Sequence, residues 1–142
     1  MSEHIWQQAV ETYLAIDRGL FLNPQYLIGM PGEWEAYPDF VAICFPDKIV
    51  WMVEVTTMAV GLNHQIAKFS LEYKCRIRAQ LIRHLVISER SEHWKFGFWA
   101  FVPEHNCEAV RTRLKSAGVE LSLVTPLEDT MKPSFWEARF RQ

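Results

Sequence analysis

Residues 94–103 read Trp-Lys-Phe-Gly-Phe-Trp-Ala-Phe-Val-Pro, and alternate positions along this run are apolar in both registers. A strand with two apolar faces must be covered on both sides. It belongs inside a sheet, between layers that shield it from water. The chain has 142 residues, enough for one domain around one core. A single α/β domain over 1–142 is therefore expected, with its core over about 3–125 and a C-terminal tail over 126–142.

The rest of the pattern supplies the layers. Ile5, Trp6, Ala9, Val10, Tyr13 and Ile16 recur at helical spacing, so a helix is predicted over 3–18, stopping at Gly19. Residues 20–37 hold Pro24, Gly29, Pro31 and Gly32, and read as a short strand near Tyr26–Met30 followed by a loop. Two apolar strands, 39–45 and 49–56, flank the polar turn Pro46-Asp47-Lys48. A long helix over 61–86 carries the stripe Leu62, Ile66, Phe69, Tyr73, Ile77 and Leu81. A helix over 104–117 stops at Gly118, and Val119–Val124 reads as a last strand. The tail offers Phe135, Trp136 and Phe140 for a short docking helix or for a contact between two copies. The order α-β-β-β-α-β-α-β implies a mixed sheet flanked by helices.

Composition narrows the function classes. Net charge is -2, whereas small nucleic-acid-binding domains are usually basic, so any such surface must be local. No uncharged apolar run approaches the roughly 20 residues of a membrane span. The start of the chain has an amphipathic pattern rather than the apolar segment of a signal peptide. Cys44, Cys75 and Cys107 are odd in number and widely spaced, which fits a reducing compartment and argues against a zinc site. A cytoplasmic protein without membrane contact is expected.

The acids of the hairpin stand out chemically. Tyr37-Pro38-Asp39-Phe40 opens its first strand, and Val53-Glu54-Val55-Thr56-Thr57 closes its second. If the chain folds back near residue 47, Asp39 lies across from residues 54–56, with both acids at the end away from the turn. Glu54 and Thr56 share one face, while Ile49, Trp51, Val53 and Val55 face the other way into the core. A one-residue change of register would separate the two carboxylates.

A Pro-Asp before one strand and a Glu near the end of the next resembles the PD-(D/E)XK nuclease superfamily, and the element order is similar to the αβββαβ core of the restriction-endonuclease-like fold. An additional α-β unit and the tail would follow that core. The resemblance implies a Mg²⁺- or Mn²⁺-dependent nuclease acting on DNA in restriction, repair, recombination or mobile-element processing. It implies Asp39, Glu54 and the carbonyl of Val55 as metal ligands, in the register that places both acids on one face. This sequence departs from the pattern at Thr56, where the family has a lysine that orients or deprotonates the attacking water. Lys48 sits at the turn, roughly 20 Å away at about 3.3 Å per residue. Lys68, on the following helix, is the substitute the resemblance allows, because some members carry the lysine there. Gln65-x-x-x-Phe69 resembles the Gln-x-x-x-Tyr feature of some exonuclease branches.

Other readings of these residues remain open. Asp39 can end a loop, Glu54 can be a paired strand residue, and Lys68 can be a solvated lysine. Lys74, Arg76, Arg78 and Arg83 can contact phosphates or form the wet face of their helix. A catalytically silent descendant of the same fold, binding nucleic acid or serving in an assembly, is the alternative to the enzyme.

Overall fold

The computed structural model describes residues 3–24, 28–29, 35–36, 38–69, 74–83 and 93–131. Five strands form the main sheet: β1 (Phe21–Pro24), β4 (Phe40–Cys44), β5 (Ile49–Val55), β6 (Lys95–Val102) and β7 (Ser122–Pro126), lying side by side in that order. The β1–β4 and β4–β5 pairs are antiparallel, whereas β5–β6 and β6–β7 are parallel. The sheet is thus mixed, and β6 lies inside it, as its doubly apolar sequence requires. Two further strands, β2 (Ile28–Gly29) and β3 (Glu35–Ala36), form a separate small ladder.

Helices cover both faces. Val50 and Met52 of β5 and Phe98, Ala100 and Val102 of β6 pack beneath α2 (Asn63–Lys68), α3 (Lys74–Arg83) and α4 (Cys107–Ser116). The opposite face carries Trp51, Val53, Val55, Trp99 and Phe101. It is covered by α1 (Glu3–Thr12), the π-helical turn Tyr13–Asp17 and the 3-10 turn Leu127–Met131. Burying both faces of β5 and β6 supplies the hydrophobic stabilisation of the fold.

Several boundaries differ from the sequence expectations. The first helix buries Ala9, Val10 and Leu14, while Ile5 and Ile16 are exposed. Residues 21–24, to which the sequence assigns no element, form the antiparallel edge strand β1. Of the expected strand 26–30, only 28–29 falls in a described ladder. Its partner is β3 rather than the main sheet, so β1 fills the place expected of that strand. Both faces of β5 are core, because Val50 and Met52 are as buried as Trp51 and Val53. The long helix expected over 61–86 begins as a 3-10 turn at Ala59–Leu62 and is described as α2 and α3. Its residues Leu62, Ile66, Phe69 and Leu81 are buried as the stripe requires. The last strand runs 122–126 rather than 119–124, because Gly118, with φ of 77°, turns the chain and Val119 packs into the core before pairing begins. Phe135, Trp136 and Phe140 lie outside the described residues.

Gly97 shows how tightly the sheet faces are filled. It is the β-ladder partner of Trp51. A Cβ there would stand 2.5 Å and 2.7 Å from two ring carbons of Trp51 and 3.0 Å from Leu121 Cγ. The Trp51 ring cannot simply move away, because it is buried and packs edge-on against Trp99 at 5.3 Å. Gly97→Ala is therefore expected to lower stability by about 1–3 kcal/mol through overpacking. Urea denaturation checks this; an unchanged midpoint would show that the ring has room.

Candidate functional site: a cross-strand carboxylate pair

The hairpin register decides where the acids meet. Phe40 pairs with Val53, and Val41 with Met52. One step outward, Asp39 stands opposite Glu54. Directly opposed residues of an antiparallel pair point to the same side. That side is the one carrying Met52 and Val41, beneath the helices that follow β5. The turn at 45–48 closes the other end, with Lys48 at φ 55°. Lys48 is thereby held far from the acids, as expected.

The two carboxyls differ in surroundings. Glu54 is only 7% exposed. Burial pushes its carboxyl well above the usual glutamate range, the neighbouring charge of Asp39 adds to the effect, and a hydrogen bond shared with the Asp39 side chain favours the protonated form further. Asp39 is partly exposed and held by fixed donors. The Val55 backbone N–H donates to Oδ2 at 2.7 Å, and Gln7 Nε2 donates to Oδ1 at 3.1 Å. Burial and the neighbouring acid thus favour the neutral form of the Glu54 carboxyl.

A cavity of about 220 Å³ opens onto the pair, lined by Asp39, Glu54, Val55, Thr56, Gly61, Leu62 and Gln65. Gln65 Oε1 is buried there, and no described group donates to it. An orphaned amide oxygen in a buried polar cavity is costly unless something fills the place. The available donors are all oxygens: two carboxyls, the Gln65 amide and backbone carbonyls. Such a set suits Mg²⁺ or Mn²⁺ completed by waters, rather than zinc or copper. Among the described residues no group of three or more His, Cys, Asp and Glu converges, so the carboxylate contribution is limited to this pair.

Thr56 continues the Glu54 face, but its hydroxyl is engaged in a local turn. It accepts from Met58 N–H at 3.0 Å and donates to the Met58 carbonyl at 3.2 Å. Lys68 is the last residue of α2, one turn beyond Gln65; its side chain lies outside the described residues, as do those of Lys74, Arg76 and Arg78. Glu11 is exposed on α1.

Gln7 was missed by sequence reasoning. The available signal was a polar residue breaking the apolar stripe of α1, one turn ahead of Val10 and two ahead of Leu14. A larger, shallow groove of about 670 Å³ runs along α4 and β7, lined by Arg111, Lys115, Ser122 and Val124. It shares no lining residue with the acid pair, so its size does not make it the better candidate for carboxylate chemistry. No helix among the described residues is long and apolar enough to cross a membrane. The chain matches no known family model, no curated protein and no solved structure.

The pair has a testable consequence without any ligand. A carboxyl whose folded-state pKa is raised contributes stability that is fully present below its unfolded pKa. That contribution is lost as pH rises through the folded value. The protein should therefore lose thermal stability as pH climbs above the ordinary glutamate range. Glu54→Gln, which keeps a neutral hydrogen-bonding group of the same shape, should flatten that fall. A melting-temperature profile from pH 5 to 9 checks it; identical slopes in both proteins would contradict the assignment of the proton to Glu54.

Proposed function

We propose that this protein is a Mg²⁺-dependent nuclease of the PD-(D/E)XK type that cleaves DNA phosphodiester bonds. The observation that carries the reading is the convergence of Asp39 and buried Glu54 on one polar cavity at the carboxyl end of parallel strand β5. Ligand sites of open α/β sheets favour this end of the strands. The helix–hairpin–helix–strand order of the mixed sheet agrees with a restriction-endonuclease-like core. On this reading Asp39, Glu54 and the Val55 carbonyl hold the cation, and Gln65 lies at the cavity wall. When bound, the cation supplies charge neutralisation for a phosphorane-like transition state and lowers the pKa of a coordinated water.

The chain's own residues then have defined tasks. Asp39 supplies a standing negative charge held by two hydrogen bonds. Glu54 would hold the cation as a carboxylate, its proton released to solvent, because a ligating carboxylate must be deprotonated. Lys68 orients or deprotonates the attacking water in place of the family's lysine. It stands one helical turn from Gln65, a spacing that puts both on one flank of α2. The engagement of the Thr56 hydroxyl in a turn supports the second reading, a catalytically silent module that binds nucleic acid or serves in an assembly.

Metal and cleavage assays separate these readings. Mn²⁺ should raise the melting temperature of the native chain, and more so at higher pH, because binding expels the Glu54 proton. Asp39→Ala should abolish the response. Manganese-dependent cleavage of single-stranded, duplex or branched DNA should vanish in Asp39→Ala and Glu54→Ala. Lys68→Ala should slow it about 100–1000-fold, as expected for loss of one preorganised stabiliser of transition-state charge. Metal binding without cleavage of any substrate selects the silent module, and no metal response in the native chain refutes the metal-dependent nuclease.

A further inference from the structure

Gln7 occupies a position where the buried stripe of α1 calls for an apolar side chain. Val10 and Leu14, one and two turns on, are fully buried. A polar group on such a stripe must find a partner to replace its lost hydrogen bonds to water. Gln7 finds Asp39, although α1 packs on the sheet face opposite to that of Glu54. The amide reaches past the end of the sheet to a carboxylate on the other side.

Two donors to Asp39 come from separate elements. Val55 N–H, fixed by the β5 backbone, takes Oδ2 at 2.7 Å; Gln7 Nε2, carried on α1, takes Oδ1 at 3.1 Å. The Val55 bond holds one carboxylate oxygen, and the Gln7 bond adds a hold on the other that resists rotation of the carboxylate plane. Resting on the reading that the acid pair binds a divalent cation, we infer that Gln7 is a positioning residue of the centre: it fixes the plane of the Asp39 carboxylate so that its remaining lone pairs are presented to the cation. Gln7 touches neither cation nor substrate and acts through Asp39.

The residue type suits the task. An amide donates a hydrogen bond without neutralising the carboxylate. A lysine or arginine there would compete with a cation for the same charge, and a carboxylate would repel Asp39. Partners that orient metal ligands typically govern metal affinity by 10–100-fold. Helix α1 thereby becomes part of the site, and the core on one face of the sheet supports the chemistry on the other.

Gln7→Met tests the inference in the full chain, since it keeps length and packing and removes only the donor. Two quantities are read: Mn²⁺ affinity by calorimetry, and exchange of the Val55 amide proton in the metal-free protein by NMR. Affinity should fall about 10–100-fold, and Val55 should lose protection while the other β5 amides keep theirs. Native affinity in Gln7→Met overturns the inference, as does unchanged Val55 exchange. So does faster exchange along the whole of β5, which indicates general loosening instead. If the native chain binds no Mn²⁺, the metal reading itself fails. Val55 exchange then decides alone: selective loss of protection upholds the hold of Gln7 on Asp39, and its absence ends it.

Discussion

A buried carboxyl placed directly across a strand pair from a second carboxyl is the constraint around which the rest of this molecule is organised. Leaving two charges there, with little access to water, costs several kcal/mol unless a proton or a cation intervenes. The protein accommodates the pair by treating its members differently. Asp39 receives a backbone amide and the Gln7 side chain. Glu54 lies deeper, where burial and the neighbouring Asp39 raise its pKa.

The fold serves this arrangement at each level. The turn at 45–48 sets the register that opposes Asp39 to Glu54. Pairing of β5 with β6 and the bond from Thr56 N–H to the Phe101 carbonyl at 3.1 Å extend the order of β5 to the edge of the site. Apolar packing on both faces prevents the strand from sliding: a shift by one residue would bring Glu54 into the Trp51–Val53–Val55 face, among Trp99 and Phe101. The core therefore fixes the chemistry indirectly, by making every other register of the hairpin unaffordable.

What could be read from the sequence follows the strength of the local signal. Strand β6 was legible because no arrangement other than an interior strand buries both of its faces. The hairpin was legible from Pro46-Asp47-Lys48 between two apolar runs. Edge strand β1 was not, since Phe21-Leu22-Asn23-Pro24 is short, ends in proline and takes its conformation from pairing with β4. The start of β7 was displaced because Val119 is apolar for packing rather than for strand pairing. At the site, the sharing of one face by Asp39 and Glu54 was conditional on register, which only the full sheet decides. Gln7 stands out only as a polar break in the apolar stripe of α1; its partner lies 32 residues away, and nothing in a helical period identifies a contact of that range.

The central claim is that Asp39 and Glu54 form one cation site. A crystal soaked in Mn²⁺, with anomalous scattering recorded near the manganese edge, tests it most directly. The account predicts a single strong anomalous peak with oxygens of both carboxylates within about 2.5 Å of it. A peak elsewhere, or no peak at the two carboxyls at neutral pH, would contradict it.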